Sequence, residues 1–222
     1  MRLLFVCTGN ECRSPMAEGL VRAWARDALG EQPGRADVQV SSAGLAATPG
    51  RPMAAESAAA VSRYGVRTDD FRSQALLPRM ADEADLVLTM TREQRRGVLE
   101  GTPRGLRRTF TLREAAELLV RADLSGLSDT TRSDRAAHLA RRLDAARGSG
   151  PPADEDIVDP IGQPAPVHRE VAEAIVTALR PLADVLLSGV RPGPPSGATR
   201  ARDSAPRPWP APPAAGRADG VR

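Results

Sequence analysis

The chain has 222 residues, of which 41% are apolar but only 3% aromatic, and its net charge is +3. That length suits one domain with appendages, and the apolar share is enough for a core built from Leu, Val, Ile and Ala. All 31 basic residues are Arg, and 189–222 holds six Arg against two Asp, which leaves 1–188 nearly neutral, with no basic stripe interleaved with aromatics of the kind that reads nucleic acid.

The two cysteines, Cys7 and Cys12, share one short loop, which excludes a scaffold of structural disulfides. The apolar run at 3–6 is too short for the core of a secretory leader. No stretch approaches the ~18 apolar residues that span a bilayer. A cytoplasmic protein without membrane contact is therefore expected.

Residues 2–7 (RLLFVC) read as a buried strand that enters a turn at Thr8-Gly9-Asn10. Ser14-Pro15 supplies an N-cap type followed by Pro at the first helical position, so a helix is expected to about residue 29. Met16, Leu20, Ala23, Trp24 and Ala28 keep helical spacing along it. Then follow a strand near 37–42, a helix near 52–64, a strand at 84–90, a helix at 91–100, a strand near 106–111 and a short helix at 112–120. This alternation predicts an α/β fold, a parallel four-stranded sheet with helices on both faces and a phosphate-binding loop after the first strand.

The polar stretch 121–154 reads as a helical insertion, with an Ala- and Arg-rich helix near 133–147 and a Gly/Pro breaker after it. A last helix is expected over 166–187, with Val167, Val171, Ile175, Ala178, Leu182 and Leu186 on one face and a kink at Pro181. Residues 1–188 thus form the domain. The segment 189–222, with eight Pro and five Gly and no apolar period, reads as a disordered tail.

Chemistry concentrates in Cys7-Thr8-Gly9-Asn10-Glu11-Cys12-Arg13-Ser14, between the first strand and the first helix. A loop wrapping into a helix N-terminus turns backbone N–H groups inward, where the helix dipole adds positive potential. Such a cradle takes a phosphate dianion, and the same field favours a cysteine thiolate. Cys7 then serves as nucleophile toward phosphorus and Arg13 as a bidentate fork for phosphate oxygens. Ser14 can donate to the Cys7 sulfur, Gly9 lets the backbone approach the anion, and Asn10 tolerates a left-handed conformation. The Cys-to-Arg spacing alone is weak evidence, because roughly one residue in seven is Arg. A second element strengthens it: Asp159-Pro160-Ile161-Gly162 places a carboxylate in a turn before the last helix, available as an acid for the leaving group.

The stretch VCTGNECRSPMAE (6–18) resembles the signature of the low-molecular-weight protein-tyrosine phosphatases. Ser42-Ala43-Gly44, ADLVLTMT (84–91), FTLRE (110–114) and Asp159-Pro160 follow in that family's order. The resemblance implies Cys7 as nucleophile, Arg13 as phosphate binder and Asp159 as general acid. Thr8, Gly9, Asn10, Glu11, Cys12 and Ser14 would line the substrate phosphate, and Ser42 would support the loop. Cys12 would trap an oxidised Cys7 as a disulfide; read by itself, it is equally a small buried side chain.

Two positions depart from the tyrosine-specific members: Glu11 stands where they carry an apolar residue, and Ile161 where they carry an aromatic. A related branch removes phosphate from protein arginine, and there Glu11 at the rim would contact a guanidinium. Arsenate reductases on the same fold need further cysteines than this chain has, and a phosphate-binding module without turnover would not require Cys7, Arg13 and Asp159 together. The expected substrate is a phosphorylated protein, handled by a monomer or weak dimer without cofactor, metal or nucleic acid. His138 and His168 have no partner ligands at metal spacing and read as solvated, as does the acidic run 154–156.

Overall fold

A computed structural model describes residues 1–30, 37–148 and 156–188. The tail expected at 189–222, and Asp154 and Glu155 of the acidic run, lie outside the described residues.

Four parallel strands, β1 (Arg2–Cys7), β2 (Gln39–Gly44), β3 (Leu86–Thr89) and β4 (Thr109–Thr111), form one sheet in the order β2-β1-β3-β4. Its register sets Cys7 beside Gly44 and Val6 beside Thr89. The helices are α1 (Arg13–Leu29), α2 (Ala55–Ser62), α3 (Pro78–Glu83), α4 (Arg92–Gly101), α5 (Leu112–Arg121), α6 (Arg132–Ala145) and α7 (Ala165–Ser188).

Both sheet faces are covered, as the continuous apolar strands require. Leu4, Val6, Ala43 and Val87 pack with Ala81 of α3 and Val98 of α4 on one face. The alternate positions Leu3, Phe5, Leu86 and Leu88 are buried toward the other, where α1 and α5 meet the strands and α7 packs across α1, α2 and α5. In the stretch read as an insertion, α6 buries Ala136, Leu139, Ala140 and Leu143, an i, i+3, i+4, i+7 stripe, against α7 and the sheet.

Several boundaries differ from expectation for physical reasons. The second strand is shifted two residues, to Gln39–Gly44, because the chain continues pairing with β1 up to Cys7. The helix read at 52–64 is the shorter Ala55–Ser62, since the residues before it turn back to let Ala54 N–H bond the Glu11 carbonyl. The strand read over 106–111 is a 3-10 turn (Pro103–Arg108) and then three residues of strand, with Leu106 half exposed. On α1, Ala28 faces solvent and Leu29 is buried.

Candidate active site

The loop from Cys7 to Arg13 is held from outside by its own carbonyls. Leu45, Ala46 and Ala54 donate backbone N–H groups to the carbonyls of Cys7, Thr8 and Glu11, and Gln94 Nε2 donates to Thr8 Oγ1 at 3.0 Å. Gly44 makes this approach possible, because a Cβ there would stand 2.5 Å from the Thr8 carbonyl oxygen and 2.9 Å from Asn10 N. The Ser-Ala-Gly segment therefore has a steric task. At Gly9, by contrast, a Cβ would meet no protein atom closer than 4.0 Å, so no neighbouring side chain or backbone demands glycine there.

Asn10 adopts φ 54°, the left-handed conformation that its residue type tolerates. From there its N–H points at Cys7 Sγ, 3.2 Å away. Its side chain is fully buried and organises the site: Gln74 N–H donates to Oδ1 at 2.8 Å, which fixes the amide orientation. Nδ2 then donates both ways, to Ser14 Oγ at 2.9 Å and Ser42 Oγ at 2.8 Å. Ser14 Oγ accepts from Asn10 and lies 3.0 Å from Cys7 Sγ, within reach to donate its proton to a Cys7 thiolate, and 3.5 Å from the Ala43 carbonyl. Ser42 likewise donates onward, to Glu18 Oε2 at 2.5 Å, and Arg22 meets the other Glu18 oxygen at 2.7 Å. Burial pushes the Glu18 carboxyl above its usual range, against the pull of Ser42 and Arg22.

Ser14 is not the N-cap of α1. The helix starts two residues earlier than expected, at Arg13, with Cys12 in the cap position, and the Ser14 hydroxyl serves the Cys7 sulfur instead. The competition that favours Ser at a cap is here won by the thiol.

Arg13 is 4% exposed. Its Nη1 donates to the Ile157 carbonyl at 3.0 Å and its Nη2 to Asp159 Oδ2 at 2.5 Å, while the buried Nε has no partner among the described residues. An orphaned guanidinium N–H beside a cysteine cradle fits an anion that would complete it. The segment carrying Asp159 is tied to the sheet by Ile157 N–H on the Met90 carbonyl, and Asp159 Oδ1 accepts Ile161 N–H in the turn.

Cys12 is buried, its thiol pushed up to about 11 chiefly by that burial, with the Ser57 hydroxyl pulling the other way. Ser57 Oγ lies 2.9 Å from Nδ1 of His168, and both residues are buried. His168 is therefore not solvated, contrary to the sequence reading. It sits with Val171, Ala172 and Ile175 on the buried face of α7, at the i, i+3, i+4, i+7 spacing that could have disclosed it. Glu18, Gln74, Gln94 and Ser57 are the residues that sequence reasoning passed over, and His168 is the one it misread. His138 is half-buried on α6.

Glu11 Oε2 lies 3.6 Å from Arg51 Nε at the rim. Near the loop and Asp159, the exposed apolar side chains are Leu45, Val158 and Ile161, all aliphatic. A cavity of about 520 Å³ between α1, β2 and residues 67–71 has Glu18 in its wall and none of Cys7, Arg13 or Asp159. Among the described residues no three potential metal ligands cluster, and no helix is long and apolar enough to cross a membrane.

The profile of the low molecular weight phosphotyrosine protein phosphatases matches residues 2–137. The chain belongs to this family. It is 30% identical over 185 residues to a protein-arginine-phosphatase of Geobacillus stearothermophilus, covering 83% of this chain and 95% of the relative. It is 36% identical over 112 residues to the "Probable low molecular weight protein-tyrosine-phosphatase EpsP" of Ralstonia solanacearum, covering 50% of this chain and 70% of the relative. The crystal structure of a low molecular weight protein tyrosine phosphatase from T. tengcongensis superposes with a TM-score of 0.60 at 29% identity, over 83% of this chain and 98% of that one. The family profile ends before Asp159, so it is the fold itself that brings Asp159 to Arg13.

Proposed function

We propose that the chain hydrolyses protein phosphomonoesters of the phosphotyrosine type through a phosphocysteine on Cys7. The single observation that carries this reading is the constellation around one sulfur: Cys7 Sγ receives Ser14 and Asn10 N–H in a loop that ends on Arg13, itself bonded to Asp159. Cys7 attacks phosphorus while Arg13 takes the charge that spreads over the equatorial oxygens. Asp159 gives its proton to the leaving oxygen, then takes one from the water that cleaves the phosphorus–sulfur bond. Thr8, Gly9, Asn10, Glu11, Cys12 and Ser14 surround the phosphate, and Ser42 supports the loop. The cytoplasm is the proposed place of action, since it keeps Cys7 and Cys12 as the free thiols seen here. The protein would act there on phosphorylated proteins as a monomer or weak dimer.

Hydrolysis of 4-nitrophenyl phosphate in the presence of EDTA tests the reading. Cys7→Ser should abolish turnover; activity that persists in the variant removes Cys7 from the mechanism.

A second reading, a protein-arginine phosphatase, rests on the rim. Leu45, Val158 and Ile161 offer aliphatic rather than flat aromatic walls, and Glu11 places a carboxylate beside the pocket. The relative matched over 185 residues, a protein-arginine-phosphatase, and the family resemblance are compatible with it. Parallel assays on phosphotyrosine, phosphoserine and phosphoarginine peptides decide between the two.

A further inference from the structure

One buried amide outside the phosphate loop touches both that loop and the frame that carries Asp159. Gln94, in the first turn of α4, is 4% exposed. Its Oε1 accepts two backbone N–H groups just past β3, from Met90 at 3.0 Å and Thr91 at 3.1 Å. Those bonds fix which end of the amide is which, so Nε2 faces the loop and donates to Thr8 Oγ1 at 3.0 Å. The same residues hold the acid-bearing segment. The Met90 carbonyl accepts Ile157 N–H at 2.8 Å, and Arg92 N–H donates to Asp156 Oδ1 at 2.8 Å, just ahead of Asp159 in the chain.

Helix capping accounts for only part of this. In a capping box the side chain at the third helical position reaches back to the cap N–H, and Glu does so as well as Gln. An ionised Glu could not donate to Thr8. The bond to Thr8 is therefore the one that requires an amide. Thr8 follows Cys7 and is exposed. Its hydroxyl has one hydrogen and two lone pairs. One lone pair accepts from Gln94, and among the described residues the hydrogen meets no acceptor. The hydroxyl is thereby held as a donor turned away from Gln94, on the residue next to the nucleophile.

We propose that Gln94 is a positioning residue for Thr8, holding its hydroxyl as a hydrogen-bond donor to an oxygen of the substrate phosphate while charge builds there. The proposal rests on the reading of the loop as a phosphate cradle with Cys7 as nucleophile. A donor already turned toward the place where charge develops needs no reorientation during the reaction, which is where such a bond contributes most. Because Met90 is bonded to both Gln94 and Ile157, the same amide keeps Thr8 in a fixed relation to the segment that carries the acid.

Steady-state kinetics on 4-nitrophenyl phosphate test this with Gln94→Glu, Thr8→Val, Thr8→Ser and the pair Gln94→Glu with Thr8→Val. Gln94→Glu keeps the capping box, but its carboxylate takes the Thr8 hydrogen instead of supplying one. kcat should fall by about tenfold or more with KM changed less than about threefold, and the loss should persist in about 0.5 M salt, which screens the added charge. Thr8→Val should lose a similar factor, and Thr8→Ser, which keeps the hydroxyl, should recover most of it. Once Thr8 is Val, adding Gln94→Glu should cost less than about twofold, because no hydroxyl is left to turn. A side chain that only packs α4 would instead give additive losses. Wild-type kcat in Gln94→Glu, or additivity in the pair, overturns the proposal. Wild-type kcat in Thr8→Val overturns it too, at an exposed position where folding is not at stake. Each of those results leaves the Cys7 reading standing as long as the wild type turns over; a wild type that does not hydrolyse the aryl phosphate overturns both.

Discussion

Arg13 and Asp159, far apart in the chain, meet at 2.5 Å, so the guanidinium proposed to bind phosphate is held by the carboxylate proposed as general acid. Phosphate must compete for Arg13, and Asp159 is freed for the leaving group as it does. Asp159→Asn should therefore have two opposite effects. The loss of proton transfer should lower kcat by about 10²–10⁴-fold on a poor leaving group such as phenyl phosphate, and less on 4-nitrophenyl phosphate. The affinity for tungstate or phosphate should rise by about two- to fivefold, because an ion pair whose carboxylate is solvent-exposed is worth about 1 kcal/mol. Inhibition constants check this: weaker anion binding in the variant would show that the Arg13 contact does not compete.

Ser14 Oγ lies 3.0 Å from Cys7 Sγ and has its own oxygen occupied by Asn10. Ser14→Ala removes the side-chain donor on that sulfur and leaves, among the described residues, the Asn10 N–H. A hydrogen bond to a charged group contributes about 1.5–3 kcal/mol, so alkylation of Cys7 by iodoacetate and breakdown of the phosphocysteine should both slow by roughly 10–100-fold. Rapid-quench measurement of the phosphoenzyme separates the two. Unchanged rates would mean that Ser14 merely fills space.

Asn10 combines a positive φ with bonds to Ser14, Ser42 and Gln74. Asn10→Ala should cost about 2–4 kcal/mol in urea unfolding, since it strands buried partners and strains the backbone. Asn10→Gly relieves the strain but not the lost bonds, and should be less destabilising than Ala by roughly 1 kcal/mol. If Ala proves no worse than Gly, the conformation of the loop is not set by this residue.

Local pattern disclosed the strand–loop–helix unit at Cys7 to Arg13 and the alternation of strands and helices along the chain, because apolar runs and turn residues are near-neighbour signals. It missed α3, whose six residues bury only Ala81 and so show no period. It misread Leu106 as strand, since an apolar residue in a 3-10 turn looks the same in sequence. The shell around the loop was harder still. Glu18 reaches Ser42, Gln74 reaches Asn10 and His168 reaches Ser57 only after the sheet and helices have assembled. The resemblance supplied Asn10 and Ser42, but nothing local pointed to the residues that orient them.

At the rim, the Glu11 carboxylate faces Arg51 at 3.6 Å, and both side chains are partly exposed. Glu11→Ile removes negative charge from the approach of a phosphate dianion and leaves Arg51 without its partner. kcat/KM on phosphotyrosine peptides should rise by about two- to tenfold, with the phosphoarginine rate falling or unchanged. An equal change on both substrates would mean that Glu11 acts through net charge alone and not through recognition of the substrate side chain.

Glu18 ends the line of hydrogen bonds that starts at Cys7, and burial raises its carboxyl above the ordinary glutamate value of 4.5. The folded state therefore holds this proton more tightly than the unfolded chain does. Below 4.5 both states are protonated and its contribution to stability is fully present; as pH rises from there through the folded value, the unfolded chain ionises first and that contribution is lost. The sign is opposite to that of an ordinary paired carboxylate. Glu18→Gln cannot ionise, so stability by urea unfolding should fall less steeply with pH over that window than in the wild type. Because Gln still accepts from Ser42, the loop should hold and aryl phosphatase activity should drop by no more than about tenfold. Parallel stability curves for the two proteins across the window would show that Glu18 enters the fold already ionised.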